Sequence, residues 1–396
     1  MKFYYANEDE IKQGKTTDIY FLRTEEILRK NHVKKHVLAE FTVQTLPDKY
    51  DFAVFSGLYE VLNLLEGLPI NVYAMKEGTI FKSADINGIP VPVMYIEGDY
   101  KEFAKYETPA LGLICQASGI ATKSARIKRA AGDLIVLSFG IRRMHPVLAP
   151  FIDRNAYIGG CDGVSSIKGA EVIKQNPRGT MPHALMLTMG EKEAWMSYDE
   201  ILDDSVPRIA LIDTFCDEKT SAIKAAEVFK KLDAVRLDTP GTRRGNFAKI
   251  VRETRWELDV RGFKDVGIIV SGGLDEESVK ELKEAGATGF GVGTSISNAK
   301  TIDFAMDIVE IEHRPIAKRG KFSKRKEVYR CTDCGEYIVL PYGEHIKECP
   351  VCGGKVEKVL HKVMEGGKKL SYFEDNPEEI RNYVLEQLKV YKNTEH

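Results

Sequence analysis

The stretch IIVSGGLDEESVKELKEAGATGFGVGTSI, residues 268–296, contains one full repeat of an α/β fold. An apolar run reaches Ser-Gly-Gly, a helical pattern follows through LDEESVKELKEAG, and a second apolar run reaches Gly-Val-Gly-Thr. Apolar runs without alternation read as strands covered on both faces, and a helix between two of them reads as a crossover between parallel neighbours. Glycines just after a strand let backbone amides approach an anion, and a helix starting there adds its positive end. Two such loops on consecutive strands predict a phosphate cradle from Ser271, Gly272 and Gly273 on one side and Gly291 and Gly293 on the other. A dinucleotide fingerprint fits less well, because GFGVGT comes late in the chain and lacks the matching acidic residue after a βαβ unit.

Outward from this repeat the same texture continues. Short apolar runs LIVLSFG, AYIGG, ALMLTMG, RIALIDT and AVRLDTP precede it, with helical segments such as EKTSAIKAAEVFKKL between them. So many strand-helix repeats predict closure into an α/β barrel over residues 113–312. Residues 1–112 mix strand-like runs (HVLAEFTVQTL, NVYAMKEGTIFKS, PVPVMYIEG) with the helical GLYEVLNLLEGL, and predict an N-terminal α+β domain. Residues 313–364 hold a basic linker and a cysteine cluster, and residues 365–396 a helical tail opened by the capping sequence DNPEE.

In a barrel of this kind the carboxyl ends of the strands meet at one mouth. The polar residues that end the runs are therefore candidate site residues: Arg142, Arg143, His183, Asp213, Arg236 and Asp238, together with the serine and glycines above. Asp213 in LIDT and Asp238 in RLDT could bind sugar hydroxyls, hold Mg²⁺ against a pyrophosphate, or cap the helices that follow. Adjacent arginines on an extended segment point opposite ways, so Arg142 and Arg143 are not expected to grip one anion together.

CTDC (331–334) and CPVC (349–352) are two CxxC knuckles with zinc-ribbon spacing. Cys331, Cys334, Cys349 and Cys352 would fill a tetrahedral site, which makes the zinc structural. Cys115, Cys161 and Cys216 sit in apolar surroundings and read as small buried hydrophobes. Joined to the basic linker, the ribbon could serve a nucleic acid. A net charge of −2 over the chain and few aromatics in the ribbon favour a folding staple instead. No apolar run approaches membrane-span length and MKFYYANEDEIKQGK has no signal-peptide core, so a cytoplasmic protein is expected. Abundant Glu and Lys with scarce Gln lean toward a thermophilic source.

The ordered set TDIYFLRT, SFGIRR, GTMPHAL, LIDT, RLDT, SGG and GVGT resembles the nicotinate phosphoribosyltransferases, in the archaeal form with a C-terminal zinc domain. The resemblance covers essentially the whole chain. It implies a type II phosphoribosyltransferase fold, an N-terminal α+β domain with an irregular α/β barrel, and a reaction of NAD biosynthesis: nicotinate and phosphoribosyl pyrophosphate give nicotinate mononucleotide and pyrophosphate, with Mg²⁺ and often with ATP hydrolysis. It also implies at least a homodimer with shared sites, Tyr20 of the TDxY motif stacking on the pyridine ring from the partner subunit and Phe139 covering the other face. By motif position Arg236 would bind the nicotinate carboxylate, Asp238 the ribose hydroxyls, and the SGG and GVGT loops with Thr294 the 5′-phosphate. Arg142, Arg143 and Thr180 would contact further substrate groups. His183 would be the phosphorylated histidine of ATP-coupled members, oriented by Asp213. The chain departs from many ATP-dependent members at PGTRRGN, which adds Arg243 and Arg244 beside Asp238. A quinolinate phosphoribosyltransferase is the rival enzyme, and GTMPHAL favours nicotinate over it.

Overall fold

The computed structural model describes residues 3–370 and 375–393, so 371–374 and 394–396 of the expected tail lie outside the described residues. It divides into two compact units, residues 123–298 and residues 1–122 with 299–396.

The first unit is built on six parallel strands in the order Gly163–Val164, Ile135–Ser138, Gly289–Val292, Gly267–Ser271, Ala234–Leu237, Ile209–Leu211. Their residues are buried almost throughout, as strands covered on both faces must be. The ladder runs in register at its carboxyl edge: Ser271 lies opposite Gly291, Val292 opposite Ser138, and Arg236 opposite both Ile269 and Leu211. The expected helices form at Glu218–Val228 and Glu276–Glu284, capped by Asp217 and Asp275.

Among the described strands, no backbone ladder joins the two outer ones, so the expected barrel is not closed by hydrogen bonds. Two of the runs read as strands are helical, which accounts for the gap. AYIGG is the end of a helix over Ala149–Ile158, buried along its last seven residues. ALMLTMG forms the helix His183–Met189, stopped at Gly190, whose φ is +87°. Ala, Leu and Met are strong helix formers, and a short apolar run gives the same sequence signal whether it is a strand or a helical turn.

The second unit centres on a seven-stranded antiparallel sheet. Its order is Arg314–Pro315, Phe304–Ile311, His36–Val43, Met94–Asp99, Ile70–Ala74, His361–Glu365, Lys368–Lys369. The cysteine knuckles lie on a three-stranded sheet of Tyr337–Pro341, Lys326–Cys331 and Val356–Lys358. Val328, Tyr337 and Val339 of this ribbon belong to the same apolar core as Phe41, Phe81 and Tyr95. Tyr337 donates its hydroxyl to the Ile80 carbonyl (2.7 Å), and Asp85 accepts from the Val339 amide (3.0 Å). The tail helix Pro377–Leu388 is tied in through Gln387, which accepts from the Ile80 amide and donates to the Gly78 carbonyl.

Several basic residues of the linker pair within this unit. Lys318 and Lys321 pair with Asp307, buried Lys326 with Glu40 (2.6 Å), and Arg330 with Glu357 (2.6 Å). Arg325 stacks on the rings of Tyr73 and Tyr342. Lys326 and Arg330, buried in these pairs, are withdrawn from any phosphate backbone.

Candidate active site

The parallel sheet brings most of the expected residues to one edge. Arg236 is the last but one residue of its strand and is buried. Its guanidinium donates to the Ser271 hydroxyl (3.1 Å) and to the backbone carbonyl of Met181 (3.0 Å), and lies 3.6 Å from Asp238. Its Nε is buried without a partner. Ser271 in turn donates to Asp238 (2.8 Å). Burial lowers the pKa of Arg236, with Asp238 and Asp213 opposing; an arginine remains cationic under any such shift.

His183 opens its helix with the ring half-exposed, Nε2 3.3 Å from Asp213 and Nδ1 4.0 Å from Asp238. The Asp213 side chain is 1% exposed, and its second oxygen has no partner. Burial raises the Asp213 pKa, and the His183 imidazole pulls it back. Neither Asp213 nor Asp238 caps a helix, since Asp217 and Asn246 fill those positions. Two carboxylates, one buried and one half-exposed, thus flank one imidazole beside a buried guanidinium. That set can hold an imidazole by one nitrogen and leave the other for chemistry, while a cation waits with an unused donor for an anionic ligand.

The phosphate loops differ in part from expectation. Gly272 and Gly273 have φ of +92° and +65°, values that suit glycine, and both are exposed just beyond the strand. Arg244 fixes this loop by donating to the Gly272 carbonyl (2.7 Å) while stacking on Phe247. The helix that follows offers no bare positive end, because Asp275 caps it and Glu276 and Glu277 fill its first turn. Gly291 lies one step further inside than the other glycines. It is buried inside its strand, and a Cβ there would overlap the Phe139 ring. Gly293 follows the strand, and Thr294 is exposed at the start of a one-turn helix. Phe139 is half-buried against Gly291, and its amide bonds the Val292 carbonyl.

Arg142 and Arg143 are exposed on a 3-10 turn, Ile141–Arg143, not on an extended segment. Successive side chains on such a turn are about 120° apart, and the opposite directions of an extended segment do not apply to Arg142 and Arg143. His145 caps the next turn by accepting from the Val147 amide. Thr180 is half-buried in the loop before Met181. In the other unit, Tyr20 is 55% exposed on the helix Ile19–Lys30, beside exposed Ile19, Leu22 and Ile27. A cavity of about 700 Å³ in that unit, lined by Leu58, Tyr59, Lys76 and Tyr383, contains none of the strand-end residues.

The sulfur atoms of Cys331, Cys334, Cys349 and Cys352 all lie within 4.8 Å of one another. Gly335 and Gly353, with φ of +73° and +74°, turn the chain back after each knuckle. Four converging thiols of this spacing are compatible with a tetrahedral zinc site. Sequence reasoning missed two features. Asp153, fully buried, accepts from Ser138 (3.1 Å) and from Ser166, bracing the strand that leads to Phe139. The Met181 carbonyl on Arg236 joins the His183 loop to the sheet.

Residues 18–118 match the family described as "Quinolinate phosphoribosyl transferase, N-terminal domain", and residues 120–307 its C-terminal domain. A nicotinate-nucleotide pyrophosphorylase from Pyrococcus furiosus is 55% identical, with a TM-score of 0.94 over 99% of each chain. The nicotinate phosphoribosyltransferase of Bacillus subtilis is 27% identical over 390 residues, 84% of this chain and 77% of that protein. Human nicotinic acid phosphoribosyltransferase superposes with a TM-score of 0.73 at 18% identity, covering 94% of this chain and 93% of that one, a likeness of fold.

Proposed function

The chain belongs to the type II phosphoribosyltransferase family, and on that premise we propose that it transfers phosphoribosyl from phosphoribosyl pyrophosphate to nicotinate, coupled to ATP hydrolysis. The observation that carries this reading is the His183–Asp213 pair set against Arg236 and Asp238. Arg236 holds the carboxylate of nicotinate through its unused donor, and Asp238 takes the ribose hydroxyls. Phe139 flanks the pyridine ring. Gly272, Gly273, Gly293 and Thr294 receive the 5′-phosphate, and Arg142, Arg143 and Thr180 face the anionic groups of the substrates. Asp213 holds Nε2 of His183, which leaves Nδ1 to accept the phosphoryl group from ATP. Mg²⁺ bound with the pyrophosphate would neutralise charge on the leaving group.

The ring nitrogen of nicotinate carries its own lone pair, so no protein nucleophile is needed for the glycosyl step. Positioning and electrostatics supply the catalysis. The exposed Tyr20 helix, with its apolar neighbours, suits a homodimer in which Tyr20 stacks on the partner subunit's substrate. Mixing Y20A with D238N, each nearly inactive alone, should then restore up to about a quarter of wild-type activity; no recovery would place Tyr20 outside a shared site. Four thiolates at the ribbon hold a structural zinc.

A second reading, quinolinate as the base, is favoured by the description of the matching family. One assay separates the two: protein, phosphoribosyl pyrophosphate and Mg²⁺ with nicotinate or quinolinate, with and without ATP. Product from nicotinate, stimulated by ATP in wild type and not in H183A, is expected. Product from quinolinate alone would sink the proposal.

A further inference from the structure

A second group of metal-ligating side chains lies in the antiparallel sheet, apart from both the cysteine cluster and the strand-end residues. His36, Glu97 and His313 each present a ligand atom, and these atoms all lie within 4.8 Å of one another. The sheet register brings them together. His36 begins the strand His36–Val43, and Glu97 lies opposite Leu38 on the neighbouring strand, so both project from the same face. His313 is the second residue of the tight turn joining Phe304–Ile311 to Arg314–Pro315. Its ring lies 4.9 Å from that of His36, centroid to centroid.

Two of the three ligands are held by neighbours. Glu97 accepts from the Tyr73 hydroxyl (3.1 Å) and from Asn71 (3.4 Å) with one carboxylate oxygen, which leaves the other for a cation. Glu312 brackets His36: its side chain accepts the His36 amide (2.9 Å), and its own amide donates to the His36 carbonyl (2.8 Å). Outer partners of this kind orient ligands in metal sites. The turn itself is unusual. Glu312 and His313 both have positive φ, +50° and +59°, where Asn and Gly are the ordinary occupants. The surrounding groove carries Glu97, Asp99, Glu102 and Glu312 against Lys34 and Lys101, an acidic balance.

We propose that His36, Glu97 and His313 form a binding site for a divalent first-row transition cation, zinc foremost. Two imidazoles and a carboxylate suit such ions, and three protein ligands leave a coordination position for water. The ion would cross-link three adjacent strands of the sheet and clamp the strained turn.

The test uses the full chain and zinc itself. H313N removes the ligand and places at φ +59° a residue that tolerates it, so the variant should fold at least as well as wild type without added metal. After exposure to excess zinc and gel filtration into metal-free buffer, wild type should retain one more equivalent than H313N, measured by elemental analysis. Zinc should also raise the thermal midpoint of wild type beyond that of H313N, and E97Q should lose most of the gain. Equal retention and equal midpoint shifts in wild type and H313N would overturn the site.

Discussion

Arg236 does three things with one side chain: it bonds Ser271, holds the Met181 carbonyl, and keeps one donor free in a buried setting. A lysine has no planar fork to repeat this. R236K should therefore raise KM for nicotinate at least about tenfold, on the order of 1.4 kcal/mol, while KM for phosphoribosyl pyrophosphate changes little; steady-state kinetics with each substrate varied would check it, and equal losses would contradict the carboxylate role. A different residue makes a pH prediction. The Glu107 carboxyl is pushed up to about 7 from 4.5, first by burial and then by the charge of Asp307. Its folded value lies above its unfolded one, so its contribution to stability is full below about 4.5 and lost as pH rises through about 7. E107Q keeps the neutral form. It should match wild type near pH 4 and exceed it near pH 8 by on the order of 1–2 kcal/mol after allowance for partial exposure, as read from denaturant midpoints. At this scale much of the candidate site was legible, because a polar residue ending an apolar run carries its position with it. The Met181 carbonyl was not legible: a backbone acceptor leaves no mark in the side-chain sequence.

Among the elements, the strand Gly289–Val292 carries a glycine packed against an aromatic ring. G291A places a methyl group in the Phe139 ring and should cost roughly 1–3 kcal/mol. The double variant G291A/F139A should be less destabilised than the sum of the two single variants, since the clash is then removed. Thermal or denaturant unfolding of the four proteins closes the cycle, and simple additivity would show that the ring does not dictate the glycine. The sequence pattern identified five of the six parallel strands and the helices capped by Asp217 and Asp275, because cap and period agree there. It failed at AYIGG and ALMLTMG, where five to seven mostly apolar residues are too short a window to tell a strand from a helical turn. The brief Gly163–Val164 strand escaped notice because two residues carry no pattern at all.

At the scale of the molecule, the ribbon is part of a larger core and not an appendage. Tyr337 and Val339 are buried in the N-terminal cluster, and the chain leaves the ribbon to pair His361–Glu365 with Ile70–Ala74. C349S should therefore lower the thermal midpoint by at least ~5 °C, with loss of bound zinc and a single broadened transition for the unit. Retention of the wild-type midpoint after zinc loss would show that the thiols do not staple the sheet. The CxxC spacing announced the ribbon clearly. Its integration was hidden, because pairing between strands so distant in sequence has no local signature.

That returning strand also sets an order of events during synthesis. Residues 123–298 are continuous and hold all six strands of their sheet, so no strand of that sheet waits for residues made later. The strand Ile70–Ala74 must instead wait for His361–Glu365, with one edge unpaired through most of translation. Open edges of this kind invite pairing with other nascent chains, and closure of so long a loop is slow. The half of the molecule made first is thus the half completed last.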